Sequence, residues 1–324
     1  MNSRMIVGAA LAAATWACGP SQPEEVEDFH FIEGTFIPSI GPDGNTVVYR
    51  APEGLVVVDA GRHRTHSQKI LDYATQRGMP ITAIINTHWH LDHATGNQDL
   101  QAAYPAARLY TTRAVEGALD GFLAAGAART EEALNNPDLP EADRVRMQRG
   151  FNTIRERVSL IPDVPVDERM SIAVAGRDLE LNVTHRAVTE SDVWIWDPAT
   201  STVVAGDLVT LPAPLFDTAC PTGWLAAFEA IEAKPYERVV PGHGFPMDPG
   251  EFRSYRTAFE NLVSCAEESP GAVCAEGWLT DAGPLLDKAA GKDFGDKEYA
   301  RAAVEYYVDQ IIRSEAKRAE FCAA

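Results

Sequence analysis

The chain has 324 residues, 45% apolar and 23% charged, the proportions of a globular enzyme able to bury a sizeable core. Asp and Glu total 47 against 28 Lys and Arg, a formal net charge of −19. A field of that sign repels polyanions, so no nucleic acid is expected as substrate or partner.

Residues 1–18 differ from the rest. Arg4 gives a positive start, Ile6 to Ala17 is an unbroken run of apolar and small residues, and Cys18-Gly19 follows. The run is too short to span a bilayer as a helix and fits the middle of a secretory signal. A Cys directly after it resembles a bacterial lipoprotein cleavage site, in which Cys18 would be lipidated and anchor the chain on a membrane. Ordinary cleavage after Ala17 and a merely hydrophobic N-terminus are the other readings. The first two make the chain exported, either periplasmic or membrane-anchored. Residues 19–28, with two prolines and several acids, read as a flexible tether.

From Phe29 the pattern turns to strands. Thr46 to Arg50 and Leu55 to Asp59 form a hairpin between Pro-Asp-Gly and Pro-Glu-Gly turns, and the second run is apolar enough to be covered on both faces. His66 to Arg77 reads as a helix closed by Gly78 and Pro80, and Ile81 to Asn86 as a buried strand. After a short strand at Arg108 to Thr111, residues 113–159 are rich in Ala, Glu, Arg and Leu and read as a helical insertion. Strands resume at Met170 to Val174, Leu179 to Thr184, Val193 to Trp196 and Thr202 to Val204. Trp224 to Ala233 is helical, Arg238 to Val240 a strand, and residues 250–324 a helical extension. Apart from Cys18 the cysteines are Cys220, Cys265, Cys274 and Cys322, which allow two disulfides in three connectivities. Cys265 and Cys274 flank the turn Ser269-Pro270-Gly271 and are the favoured pair.

The chemistry is carried by Thr87-His88-Trp89-His90-Leu91-Asp92-His93, which follows a buried strand. Alternate side chains of an extended chain share a face, so His88 and His90 can chelate one cation together. The turn beyond them can aim Asp92 and His93 at a second cation. Imidazole and carboxylate are the ligands of zinc and its first-row neighbours. Four of the eight His in the chain belong to the full candidate set, which is not the pattern of scattered surface His.

This H-x-H-x-D-H run resembles the signature of the metallo-β-lactamase superfamily. Three further segments resemble the family in the same order: Val58-Asp59-Ala60-Gly61, Ala205-Gly206-Asp207 and Pro241-Gly242-His243-Gly244. The resemblance covers residues 29–249. It implies an α/β fold, a four-layer αβ/βα sandwich of two facing sheets with helices outside. It also implies that His88 and His90 hold a first metal, Asp92, His93 and His243 a second, and Asp207 both, with Asp59 supporting the ligands from behind. Zinc, as one or two ions, is the expected cofactor, with iron and manganese as the other metals that such a set accepts.

One position departs. Where the family has a third first-site His, in a His-Thr-x-x-Asp pattern, this chain has Val188-Thr189-Glu190-Ser191-Asp192. His185 lies three residues earlier, up to roughly 10 Å of extended chain away. Either a different loop path makes His185 the displaced ligand, or the first site is short of one imidazole.

Other candidates are weaker. His63 and His66 read as solvated loop residues rather than pocket lining, and His30 as packed or on the surface. Trp89 projects toward the substrate or packs beneath the site. Leu211 to Phe216, an apolar proline-stiffened loop, is expected to shape the pocket, and the insertion at 113–159 to lie over its rim.

A bound divalent cation lowers the pKa of water to near 7 and polarises a carbonyl. The expected activity is therefore hydrolysis by metal-bound hydroxide, with Asp207 and Asp92 as the catalytic carboxylates. The bridging Asp207 resembles thioesterase and lactonase members, and the substrate expected is a small ester, lactone, thioester or β-lactam-like amide. Two other readings stay open: an iron-containing oxidase or electron-transfer protein of the same fold, and a catalytically weak binding protein.

Overall fold

In the computed structural model, residues 28–37, 41–292 and 295–322 are described. The signal-like residues 1–18, Cys18 and nearly all of the tether lie outside them. The chain begins with β1 (Phe29–Ile32), the small hairpin β2 (Phe36–Ile37) and β3 (Gly41–Pro42), β4 (Thr46–Ala51), β5 (Gly54–Val58), α1 (Arg64–Arg77) and β6 (Ile81–Ile85). It continues through α2 (Leu91–Ala94), α3 (Asn97–Ala103), β7 (Arg108–Thr111), α4 (Ala114–Asp120), α5 (Phe122–Leu134), α6 (Glu141–Glu156) and β8 (Val164–Pro165). The second half holds β9 (Met170–Val174), β10 (Arg177–His185), β11 (Ser191–Asp197), β12 (Thr202–Thr210), α7 (Pro221–Glu232) and β13 (Arg238–His243). Helices α8 (Pro249–Glu268), α9 (Gly271–Asp281), α10 (Gly283–Lys288), α11 (Lys297–Tyr307) and α12 (Glu315–Cys322) follow, with one π-helical turn at Val308–Ile312.

The strands form a six-stranded sheet in the order β1-β4-β5-β6-β7-β8 and a five-stranded sheet in the order β13-β12-β11-β10-β9. Their residues alternate between two cores, as a side-chain period of two requires. Val47, Tyr49, Val56 and Val58 point between the sheets, where they meet Leu179, Leu181, Val193 and Ile195. Val48, Leu55 and Val57 point outward onto Ile70, Tyr73 and Ala74 of α1. On the far side Trp194, Trp196 and Val203 pack against Trp224 and Phe228 of α7 and Phe252 and Phe259 of α8. The result is the four-layer αβ/βα sandwich, helices outside two facing sheets, with β5, β11 and β12 buried along their whole length.

Local chemistry accounts for the element ends. Gly78 closes α1 in the left-handed conformation (φ 62°), donating back to the carbonyls of Ala74 and Thr75. Asp248 caps α8, with its side chain accepting from Gly250 N and Glu251 N and Glu251 answering in a capping box. Two disulfides tie the C-terminal part: Cys265–Cys274 links α8 to α9 across the Ser-Pro-Gly turn, and Cys220–Cys322 ties α12 to the start of α7.

Candidate metal centre

The centre lies where β5, β6 and β13 end, beside the irregular stretch of β12 that carries Asp207. Asp59, immediately after β5, adopts a left-handed conformation (φ 57°) that is uncommon outside glycine. Three hydrogen bonds hold its carboxylate: Thr87 N and Thr87 Oγ1 donate at 2.8 Å each, and His93 Nδ1 lies 2.8 Å away. With Nδ1 bound to this carboxylate, His93 is left with Nε2 facing the centre. His88 is oriented in the same way, its Nδ1 lying 3.0 Å from Thr87 Oγ1. One Asp and one Thr thus aim two imidazoles, an arrangement common behind metal ligands.

Asp92, His93, Asp207 and His243, all buried, bring ligand atoms within 4.8 Å of one another. His88, His90 and Asp207 form a second such group, so Asp207 belongs to both. His93 Nε2 stands 3.1 Å from Asp207 Oδ1, and His243 Nε2 stands 3.2 Å from Asp92 Oδ2. The backbone closes tightly behind: a Cβ on Gly242 would sit 2.0 Å from Asp207 Oδ1, and one on Gly44 would sit 2.5 Å from the His93 ring. Only glycine permits these approaches.

The residues fit a divalent cation. His88 Nε2, His93 Nε2 and both carboxylate oxygens of Asp207 are buried yet make no well-oriented hydrogen bond. Buried polar atoms are normally satisfied, and these four, divided between two groups that share Asp207, mark a ligand site. The charge state agrees. Burial pushes the His88 and His90 pKa down, leaving neutral imidazoles able to ligate. Burial opposes ionisation of Asp92 and Asp207 too, but neighbouring His outweigh it and hold both carboxyls below their ordinary range. For His93 the carboxylates of Asp207 and Asp59 overcome burial and raise its pKa, so its Nε2 holds a proton that a bound cation would displace.

The loop where the third first-site imidazole was sought is a closed turn. Arg186 N donates to Glu190 O at 3.0 Å and Ala187 N to Thr189 O at 3.1 Å, while Asp192 accepts from Val188 N and from Thr189 N and Oγ1. Val188 is buried in the apolar core shared with α7 and α8. His185 is corrected here: it is no part of either ligand group. It sits exposed at the end of β10, bonded through Nδ1 to Ser191 Oγ at 3.2 Å, beside Trp194, Gly223 and Lys234. The tight turn, together with Cys220 N donating to Ala187 O at 2.8 Å, holds this segment toward α7.

What stands beside the first group is Thr218. Its Oγ1 donates to Val188 O at 2.9 Å and lies 3.0 Å from His90 Nε2. Nothing in the sequence marks Thr218 for this place.

Other expectations are also revised. His66 is fully buried on α1 with Nε2 2.8 Å from Thr46 Oγ1, and His63 is largely buried against Asp43, so neither is a solvated loop residue. His30 stacks on Tyr73 with ring centroids 4.0 Å apart. Trp89 is buried among α4, α5 and α6, donates to Glu190 Oε2 at 3.0 Å and still lines the cleft. Of the loop Leu211 to Phe216 only Leu215 reaches the cleft; Leu211, Ala213 and Phe216 are core residues under the C-terminal helices. The insertion does reach the rim. Arg149 of α6 binds Asp99 of α3 at 2.7 Å and Arg62 O at 3.0 Å, and Phe122, Leu123 and Ile154 line the cleft.

The model of the metallo-beta-lactamase superfamily matches residues 40–243, a span holding every residue of both ligand groups. The chain belongs to the metallo-beta-lactamase superfamily. It is 25% identical over 229 residues to a linear primary-alkylsulfatase from a Pseudomonas species, covering 62% of this chain and 41% of that protein. It is 40% identical over 57 residues to a hydroxyacylglutathione hydrolase from a Synechococcus species, covering 18% of this chain and 23% of that protein. The chain therefore spans less than half the length of these relatives. The solved structure of TMB-1 superposes with a TM-score of 0.50 at 16% identity, over 72% of this chain and 92% of that chain, a likeness of fold alone. Tyr299 and Tyr307 of α11, which line the cleft together with the insertion's Phe122, Leu123 and Ile154, lie beyond the matched span.

Proposed function

We propose that the protein is an exported, zinc-dependent hydrolase of a small ester, lactone, thioester or β-lactam-like amide. The observation that carries the reading is the pair of ligand groups sharing Asp207 at the foot of an open cleft. A divalent cation held by Asp92, His93, Asp207 and His243, and a second by His88, His90 and Asp207, would supply an activated water and a Lewis acid for the scissile carbonyl.

The chain's own residues do the rest. Asp92 lines the cleft and is held ionised by the histidines beside it, which places a carboxylate within reach of the attacking water's proton. Arg62, whose guanidinium lies 3.6 Å from Asp92 Oδ1, adds to the charges that favour the carboxylate. The same proton can then pass from Asp92 to the departing oxygen, sulfur or nitrogen. Asp59 and Thr87 hold two imidazoles in register throughout.

Export is supported by the apolar run ahead of Cys18 and by two disulfides, which persist in oxidising compartments. Membrane anchoring through a lipidated Cys18 goes with it.

The test is hydrolysis of a panel of lactones, thioesters, carboxylic esters, β-lactams and one alkyl sulfate, with and without chelator, beside metal analysis of the protein from its native host. Chelator-sensitive turnover of a carbonyl compound with zinc bound is the expected result. Iron together with substrate oxidation points to the redox reading, and loss of turnover across the whole panel sinks the hydrolase.

A further inference from the structure

The cleft above the ligand groups is a cavity of about 330 Å³ whose lining is mostly apolar, with Arg62, Thr130 and Asp217 as its polar members beyond the reacting end. His90 and Asp92 form one end. The insertion supplies Phe122, Leu123 and Ile154, the motif supplies Trp89, and α11 supplies Tyr299 and Tyr307 from the other side. Apolar area dominates, as in pockets that bury a ligand's hydrocarbon part while a few polar groups fix its reacting end.

Two features indicate that these walls are built for contact. Phe122 is 43% exposed and lines the cavity, so its ring is accessible to a molecule bound there. Its ring lies 5.5 Å from that of Trp89, whose indole N–H is fixed on Glu190. The opposite wall is fastened as well. Tyr307 OH donates to Asp217 Oδ2 at 2.8 Å, and the Cys220–Cys322 disulfide ties the chain beyond α11 to the same loop.

We propose that this cavity is a subsite for an uncharged apolar arm of the substrate, an acyl chain or aryl group attached to the carbonyl that reacts at His90 and Asp92. The inference rests on the hydrolase reading for the reacting end, but the subsite stands on its own walls. It makes the insertion and α11, not the ligand groups, the determinants of substrate choice. The arm enters past Phe122, lies along Trp89 and ends against Tyr299 and Tyr307.

The experiment has a binding arm and a kinetic arm. Octanamide and acetamide are titrated by calorimetry into the full chain, and p-nitrophenyl octanoate and acetate are compared as substrates. Wild type should bind octanamide at least tenfold more tightly than acetamide and show at least a tenfold higher kcat/KM for the longer ester. Phe122→Ala should reduce both ratios at least threefold, and Val158→Ala, an exposed apolar residue elsewhere, should leave them in place. Octanamide preference without turnover of any ester would overturn the hydrolase reading and keep the subsite. Turnover with equal binding of the two amides, or ratios untouched by Phe122→Ala, would overturn the subsite.

Discussion

His90 Nε2 lies 3.0 Å from Thr218 Oγ1, and Thr218 donates its own hydroxyl proton to the carbonyl of Val188. With that proton engaged, Thr218 can only accept from His90, so the imidazole carries its proton on Nε2 and presents Nδ1 to the first ligand group. A residue that is not a ligand therefore sets the tautomer of one that is. Thr218→Val removes the acceptor while keeping the shape. It should weaken binding of the metal held by His88 and His90 by about 10–100-fold, the usual cost of losing a partner behind a ligand, while Thr218→Ser should restore it. Competition titration with a chromophoric chelator resolves the two sites; an unchanged weaker site in Thr218→Val would contradict the assignment.

The two groups should fill unequally. Asp92, His93, Asp207 and His243 make a four-residue set, against three in the set with His88 and His90. Fewer ligands fix the geometry less well, so the four-residue site should take zinc first. His185→Ala, at an exposed residue away from both, should leave metal content and turnover within about twofold of wild type. Elemental analysis of the dialysed protein checks both statements, and a large metal loss in His185→Ala would restore it as a ligand.

His66 makes the fold acid-sensitive. Its burial lowers the pKa from the ordinary 6.5 to about 4, so the folded state keeps it neutral where the unfolded chain would protonate it. A depressed folded-state pKa in a base means that stability is full above pH 6.5 and is lost as the pH falls from 6.5 toward 4. The contribution is about 3 kcal/mol across that window. His66→Gln should flatten the corresponding part of a urea-unfolding series run from pH 7.5 to 4.5, and an unchanged slope would remove His66 from the account.

The two disulfides should differ in weight. Cys220–Cys322 closes a loop with a sequence separation of 102 and Cys265–Cys274 one of 9. Loop-closure entropy gives about 4.7 kcal/mol for the first and about 2.6 kcal/mol for the second. No side chain of α12 is fully buried, and beside the partly buried Phe321 the long crosslink fastens it to the body. Paired Cys→Ser variants compared by thermal unfolding check the order, and the variant lacking Cys220–Cys322 should also lose the preference for a long acyl arm.

The sequence by itself determined the buried strands and the His88 to His93 motif, while the sandwich and the places of Asp207 and His243 followed from the resemblance of their segments to the superfamily. Val47 to Val58 are almost continuously buried, with alternate side chains in two cores, as their apolar runs require, and His88 to His93 carry their chelating geometry within one strand end and one turn. Such features are local, so residue spacing is enough to read them. Tertiary structure alone decided the rest. His185 was turned away by hydrogen bonds closing residues 186–190, and Val188 went to the core because α7 and α8 cover it. Thr218, Asp217, Tyr299 and Tyr307 reach the cleft from segments more than a hundred residues beyond the histidine motif, along a path set by helix packing and one disulfide. Contacts of that separation are fixed by how apolar faces stack, which no spacing along the chain records.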